Sequence, residues 1–238
     1  MPRTSRREDA GALHHVTAKS TSRRLLFNED GDRQHYLRLL AREISRREWR
    51  MLTFCLLSNH LHLLIRTPEP DLGAGMKVIH ETFARRTNRA RGENGHLFGA
   101  RYYSDIVKSE RHVHGCLRYI AQNPTKAGIC RRPADWPWSG HRALAGLSDP
   151  PSFLAVDAAH EFLGSTLKEA RAAYVRLVAQ SNAELAFNLA RPGSDGWLVT
   201  ARDDFAIPVD DLMTVLGMSK SATYARLAAA RRTAVSVP

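Results

Sequence analysis

Cysteine is scarce in this sequence: its 238 residues include three, at Cys55, Cys116 and Cys130. Their number is odd and no two form a CxxC pair, so neither a disulfide framework nor a zinc ribbon is indicated. No apolar run is long enough to span a membrane, and the N-terminus lacks the apolar core of a secretory signal. These absences predict a cytoplasmic protein that has no membrane partner.

Acidic residues are outnumbered, and the imbalance is local. The formal net charge is +11, from 35 Lys and Arg against 24 Asp and Glu. Residues 1–150 carry 26 basic and 15 acidic side chains, whereas residues 151–238 carry nine of each. A basic N-terminal region predicts a polyanionic partner, most simply nucleic acid. The alternative is an ordinary solvated surface.

Two histidines lie in the apolar stretch Phe54–Arg66. This stretch is typical of two short antiparallel strands joined at Ser58-Asn59, a pair that favours a turn. Because strand side chains alternate between faces, His60 and His62 project to the same side. Buried imidazoles need polar partners, and a divalent metal is one such partner. The alternative is a pair of histidines satisfied within the core.

Hydrophobic periodicity predicts the element order β-α-β-β-α-β-α. The third helix is expected to end by Asn123, because Pro124 disfavours helical geometry in the residue before it. This order matches the ferredoxin-like arrangement of the α+β class, an antiparallel sheet with helices on one face. Besides the two central strands, the predicted elements are a strand at 12–18, a helix at 30–49, a helix from 71 to about 91, a strand at 97–107 and a third helix that Ser109 can cap.

A helical C-terminal extension is predicted after this core, with a helical linker region at 147–206 and a candidate helix-turn-helix at 207–238. Gly217 would form the turn and Ser219 would cap the second helix. Residues 219–238 carry four basic and no acidic side chains, as expected of a recognition helix. The alternative is a helical pair that packs on the rest of the chain or on a partner.

The third helix carries the pattern Tyr-Ile-x-x-Asn-Pro-x-x-Ala-Gly between Tyr119 and Gly128. Together with the His60-x-His62 strand, this pattern resembles the IS200-type transposases, the single-tyrosine branch of the HUH endonucleases. Within that branch, the chain most resembles the REP-associated tyrosine transposases. Further similarities are His15-Val-Thr, Asp32-Arg33 and Trp138-Ser-x-His141-Arg. The resemblance covers about residues 12–146 and predicts a catalytic domain at 1–146.

The resemblance implies the site and its chemistry. Tyr119 would be the nucleophile, His60 and His62 metal ligands, and Asn123 the third ligand, where insertion-sequence members often have Gln. The implied cofactor is Mg²⁺ or Mn²⁺. The implied activity is cleavage and rejoining of single-stranded DNA at hairpin, REP-like sites through a 5′-phosphotyrosine, by a monomer or homodimer. The alternative is a non-catalytic DNA-binding regulator that retains the fold.

Rivals exist for these roles. His112 and His114 repeat the HxH spacing, but at a helix start they diverge by about 200°, so joint ligation is not expected. Tyr102 and Tyr103 are rival nucleophiles; on a strand, one faces the helices and the other is placed to stack on a base.

Basic side chains of the first 150 residues are predicted to form a phosphate-binding surface. Lys19-Ser20 stands where the relatives commonly have Arg-Gly, a departure at the end of the first strand. The residues predicted to contact DNA are Arg23, Arg24, Arg85, Arg86, Arg89, Arg101, Lys108 and Lys126.

Overall fold

The computed structural model describes residues 8–21, 24–180, 198–199, 202 and 209–235. Its strands are β1 (Leu13–Lys19), β2 (Arg50–Leu56), β3 (His60–Arg66) and β4 (Tyr103–Ile106). Its helices are α1 (Asp30–Arg47), α2 (Leu72–Arg91), α3 (Glu110–Lys126), α4 (His141–Leu144), α5 (Val156–His160), α6 (Leu167–Ala179), α7 (Val209–Leu216) and α8 (Lys220–Val235). The first seven elements follow the predicted order.

The chain divides into two compact units, residues 1–107 with 120–174 and residues 108–119 with 175–238. The first unit contains the whole sheet with α1 and α2, and the second contains α7 and α8. Across the described ranges, we find no helix with the length and apolarity needed to cross a membrane.

The four strands form one antiparallel sheet in the order β2-β3-β1-β4. β2 and β3 are the hairpin predicted around Ser58-Asn59, and the N–H of Leu57 donates to the carbonyl of His60 at 2.9 Å. β1 lies between β3 and β4, so residues distant in sequence meet at the sheet centre. The predicted α+β fold class is confirmed.

One face of the sheet is apolar and packs against α1 and α2. Leu61 and Leu63 of β3 point to this face, where they form a cluster with Leu40 of α1 and Phe83 of α2. All four side chains are fully buried. Burying such a side chain contributes about 1.5–3 kcal/mol, so this layer stabilises the fold. Strand alternation places the paired histidines on the opposite face.

A partly buried ionic cluster joins α1 to α2. Asp71 stands at the N-cap of α2, but its side chain makes no capping hydrogen bond. Instead its carboxylate accepts from Arg47 Nη1 at 2.6 Å and from Trp49 Nε1 at 2.7 Å. Gly75 permits this packing, because a Cβ there would lie 2.2 Å from the Trp49 ring.

Helix α3 continues past the predicted end at Asn123 and contains Pro124. That prediction was wrong, because a proline is most disruptive in a helix interior and only two helical residues follow this one. The N–H of Ala127 donates to the Asn123 carbonyl at 2.9 Å, and the N–H of Ile129 donates to the Pro124 carbonyl at 3.0 Å. The end of the helix therefore keeps its backbone hydrogen bonds.

Strand β4 is shorter than the predicted strand at 97–107. The residues before Tyr103 form a loop that crosses the end of β1, where Phe98 makes an isolated antiparallel bridge with Ser20. A Cβ at Gly99 would lie 2.9 Å from the Ser20 carbonyl oxygen, so glycine permits the close approach. The apolar alternation in this stretch therefore marks a loop against the core.

Residues 138–140 cover the outer edge of β2. The N–H of Leu56 donates to the Trp138 carbonyl, and the N–H of Gly140 donates to the Phe54 carbonyl, both at 2.9 Å. These bonds satisfy backbone groups that an uncovered edge strand would expose. The tryptophan-serine motif therefore has a structural role at the border of the sheet.

The start of α1 packs against the same segment through Arg33, which is buried. Its guanidinium lies 5.3 Å from the ring centroid of Trp136 and 5.9 Å from that of Trp138. Its Nη1 donates to Asp30 Oδ1 at 3.2 Å. Two sequence motifs that resemble the family, one in α1 and one near residue 138, thus contact each other.

In the second unit, α7 and α8 are joined at Gly217, whose φ of 63° is left-handed. Ser219 Oγ accepts from the N–H of Ala222 at 3.4 Å, as an N-cap does. Leu212 and Leu227 pack between the two helices. A DNA-binding role for this pair stays a prediction.

We expect His141 to make the first unit less stable in acid. Its Nδ1 lies 3.1 Å from Tyr174 Oη, and burial followed by the charge of Arg142 lowers its pKa to about 4. Because the folded pKa lies below the unfolded value of about 6.5, stability is full above pH 6.5 and falls toward pH 4.

Urea unfolding at pH 7.5 and pH 5 tests this expectation. The wild type should lose about 2 kcal/mol more between these pH values than His141→Asn, which has no charge to gain. Equal losses in the two proteins would contradict it.

Candidate metal and DNA site

His60 and His62 lie side by side on the open face of the sheet. Their ring centroids are 5.2 Å apart, and the ring planes are nearly perpendicular, at 89°. His62 is buried and His60 is half-buried. The β2–β3 hairpin fixes both positions, because Leu61 between them is anchored in the core.

Each histidine has its Nδ1 atom engaged by a neighbouring side chain. His60 Nδ1 lies 2.7 Å from Asn59 Oδ1. His62 Nδ1 lies 3.1 Å from Thr17 Oγ1 and 3.1 Å from His15 Nε2. Partners of this kind orient the histidine ligands of metal sites and select their tautomer.

Asn123 of α3 is brought to His60. Its Oδ1 lies 3.2 Å from His60 Nε2, and the side chain is buried. A neutral imidazole has one N–H, yet His60 faces an amide oxygen at each ring nitrogen. One of the two contacts therefore places a nitrogen lone pair against an oxygen lone pair, which a cation between them would relieve.

Both imidazoles are held neutral. Burial is the main cause that lowers the pKa of His60, and Lys19 lowers it further, although the hydrogen bond that Asn123 Oδ1 accepts from the ring opposes them. The pKa of His62 lies well below its ordinary value, first through burial and then through His15 and His60. Neutral imidazole is the form that binds a metal.

The donor set of two imidazole nitrogens and one amide oxygen fits a divalent cation. Among the residues that the structure describes, no three His, Cys, Asp or Glu side chains form a metal-binding group. The set His60, His62 and Asn123 is of a different composition, because its third member is an amide.

Tyr119, the predicted nucleophile, lies on α3 four positions before Asn123 and is half-buried. Its role stays a prediction. The rival tyrosines differ in exposure: Tyr102 is buried in the core, whereas Tyr103 of β4 is 56% exposed and pairs with Thr17 across the strands. Strand alternation predicts that one tyrosine of this pair is buried and the other is accessible.

The rival histidine pair lies at the start of α3. His112 is buried, and its backbone N–H donates to Ser109 Oγ at 3.2 Å, so Ser109 caps the helix as predicted. His114 Nε2 lies 3.9 Å from Glu110 on the same helix. These surroundings are those of a capped helix start.

Sequence reasoning missed two of the side chains that contact the histidines. No site role was assigned to Thr17 or Asn59, although one lies in the His15-Val-Thr motif and the other in the Ser58-Asn59 turn. The register of β1 against β3, with Thr17 opposite His62, brings the first of them to the site. The available signal was the polar spacing of His15 and Thr17, which matches that of the paired histidines.

The basic residues predicted to bind DNA differ in their surroundings. Arg24 is held within the protein: its Nη2 donates to Asn88 Oδ1 at 2.7 Å and to Glu93, and its Nη1 donates to the His96 carbonyl at 3.3 Å. Arg23 lies outside the described residues. The exposed members are Arg85, Arg86, Arg89, Arg101, Lys108 and Lys126.

Three of the exposed arginines lie on α2, which covers the apolar face of the sheet. They are Arg85, Arg86 and Arg89. The paired histidines lie on the opposite face, so the DNA contact predicted for these arginines would be remote from the metal ligands.

This chain resembles known proteins over its N-terminal half. Residues 11–123 match the family described as IS200-like transposases. The resemblance to the IS200-type transposases is therefore confirmed. The matched segment begins before β1 and ends at Asn123, so it contains all four strands and the candidate metal ligands.

Two relatives refine the comparison. A Haemophilus influenzae protein assigned to the REP-associated tyrosine transposases is 26% identical over 103 residues, covering 38% of this chain and 58% of the relative. The match thus spans less than two thirds of that relative. The solved structure of a REP-associated tyrosine transposase bound to a REP hairpin is 22% identical, with a TM-score of 0.53 over 65% of this chain and 92% of that chain. At this identity, the likeness supports the fold.

We expect arginine substitutions to separate structural from DNA-binding roles. Arg24→Met should lower the free energy of unfolding by about 1–2 kcal/mol, because it leaves Glu93 and Asn88 without their partner. The matched variant Arg85→Met removes an exposed charge, and we expect less than about 0.5 kcal/mol.

Urea unfolding measures these changes, and fluorescence anisotropy with a labelled single strand measures DNA affinity. Arg85→Met should weaken DNA binding and flatten its salt dependence. Unchanged affinity and salt slope would exclude Arg85 from the DNA surface.

Proposed function

We propose that this protein is a metal-dependent DNA nickase and transposase that cleaves and rejoins single strands at hairpin sites. The observation that carries the proposal is that His60 of β3 contacts Asn123 of α3 and lies beside His62 of the same strand. The scarcity of cysteine fits a reducing compartment, and we propose that the protein acts in the cytoplasm.

Mg²⁺ or Mn²⁺ held by His60, His62 and Asn123 would polarise the scissile phosphate and offset its developing negative charge. Thr17 and His15 keep the His62 ring in place through its Nδ1 atom. Asn59 does the same for His60. Rings held in this way need little reorganisation when the substrate binds.

Tyr119 is the proposed nucleophile. Its Oη gives up its proton and attacks the phosphorus atom, the bond from phosphorus to the 3′ oxygen breaks, and that oxygen leaves as a 3′-hydroxyl after taking up a proton. One proton is lost and one is gained, so the step needs no other reactant. A 5′-phosphotyrosine remains and keeps the bond energy for rejoining. Helix periodicity supports the assignment, because positions 119 and 123 are one turn apart on α3.

Hairpin DNA is the proposed substrate. The excess of basic side chains in residues 1–150 favours a polyanion. A REP-associated tyrosine transposase of similar fold has been solved with a REP hairpin bound. We therefore propose REP-like hairpins with a flanking single strand as the first substrates to examine.

The nucleophile is tested by trapping the covalent adduct. A 5′-labelled and a 3′-labelled hairpin are incubated with Mn²⁺ and separated on a denaturing protein gel. Only the strand 3′ of the cut should remain on the protein, and Tyr119→Phe should lower adduct formation by at least about 10³-fold. Tyr103→Phe is the matched control and should retain it. A normal adduct with Tyr119→Phe would exclude the assignment.

The metal ligands are tested through binding rather than turnover. Electron paramagnetic resonance, which detects free Mn²⁺, should show that His62→Ala binds Mn²⁺ only weakly. Thr17→Val, which removes only the partner of the ring, should weaken Mn²⁺ binding by about 10-fold. Ser104→Ala is the control, because the Ser104 side chain of β4 projects from the other face of the sheet. Equal affinity in wild type and His62→Ala would rule out this site.

The same assays address assembly. When Tyr119→Phe and His62→Ala are mixed, the adduct should be restored if each active site is built from two copies of the chain. It should stay absent if each copy contains its whole active site.

A second candidate is a DNA-binding regulator that does not cleave. The specific feature in its favour is the helix pair α7 and α8, whose second helix carries basic residues and no acidic ones. Tight, salt-sensitive binding without any adduct in the gel would select this function.

A further inference from the structure

Lys19 is the last residue of β1 and lies directly opposite His60 of β3. Side chains of directly opposed residues project from the same face of a sheet, with Cβ atoms about 5 Å apart. Lys19 therefore lies on the face that carries the paired histidines, and it is exposed. No sequence motif singled out this ammonium as part of the site.

The backbone around Lys19 is held on both sides. The N–H of Gly99 donates to the Lys19 carbonyl at 3.0 Å, and the N–H of Ser20 donates to the Asn59 carbonyl at 2.9 Å. Asn59 also contacts His60 Nδ1. The backbone of Lys19 is thus fixed at the strand end, and only its flexible side chain determines how far the ammonium reaches.

Within the described part of the chain, Lys19 forms no ion pair with an Asp or Glu side chain. Its charge lies on the same face as the two imidazoles, because Lys19 and His60 are directly opposed across the strands. A positive charge beside two neutral metal ligands also opposes the binding of a divalent cation. An anion that contacts the ammonium and the cation together would turn this repulsion into attraction.

We propose that Lys19 binds the phosphate at the His60–His62 site, so that this phosphate joins the ammonium to the bound metal. The inference rests on the proposed function and adds a residue to it. A phosphodiester has two non-bridging oxygens, one for the metal and one for the ammonium. Lys19 then neutralises part of the charge that develops during attack, a role in which a fixed cation is effective.

The competing explanation is that Lys19 is an ordinary solvated lysine. The two explanations predict different effects on metal affinity when the lysine is removed. Removing a solvated lysine leaves metal affinity unchanged. Removing a lysine that opposes the metal raises metal affinity in the absence of DNA, and also abolishes the help that a phosphate gives to metal binding. A general loss of structure would produce neither pattern.

The test uses the full chain and two titrations read by electron paramagnetic resonance of free Mn²⁺. Without DNA, Lys19→Met should bind Mn²⁺ about fivefold more tightly than the wild type. With a short single strand of thymidines as the phosphodiester probe, Mn²⁺ affinity should rise at least about tenfold more in the wild type than in Lys19→Met. Lys19→Arg should behave as the wild type does.

Lys77→Met is the matched control, because Lys77 is exposed on α2, which covers the other face of the sheet, and lies 3.9 Å from Glu81. It should leave both titrations unchanged. If Lys19→Met shows unchanged or weaker Mn²⁺ binding without DNA, or the same gain from the single strand as the wild type, the proposal is overturned.

Adduct formation gives a separate readout. Lys19→Met should slow it by about 10²-fold, with Lys19→Arg restoring most of the rate. If the wild type binds Mn²⁺ and phosphodiester cooperatively but never forms an adduct, the proposed nickase activity is excluded and the proposed Lys19 contact is supported. A wild type that binds no Mn²⁺ would overturn both.

Discussion

The antiparallel pairing of β1 with β3 is the constraint on which the candidate site depends. This register sets Thr17 opposite His62 and Lys19 opposite His60. A shift of one residue would turn every side chain of β1 to the other face and place apolar residues beside the imidazoles. The apolar cluster under β3, with Leu61 and Leu63 at its centre, opposes such a shift because it would expose that core.

Much of the fold could be predicted from local patterns. The hairpin at Ser58-Asn59, the helix cap at Ser109 and the glycine turn at 217 depend on neighbours in sequence, and each lies where expected. The errors have a different origin. Pro124 is tolerated because of its place near a helix end, and the stretch before Tyr103 alternates because it lies against the core. Both depend on position within the whole structure.

The candidate site divides in the same way. His60 and His62 could be found from their spacing alone, because strand alternation is a local rule. Asn123 was supplied by the family resemblance, and its contact with His60 joins residues that are 63 positions apart in sequence. The places of Thr17 and Lys19 beside the histidines depend on strand register, which one sequence does not specify.

The segment at 138–140 has a consequence for association. It occupies the hydrogen-bonding groups of Leu56 and Phe54 along the outer border of β2. A neighbouring molecule therefore cannot extend the sheet on that side, and intermolecular strand addition is blocked there. Self-association of this chain would therefore have to use a surface other than the β2 border.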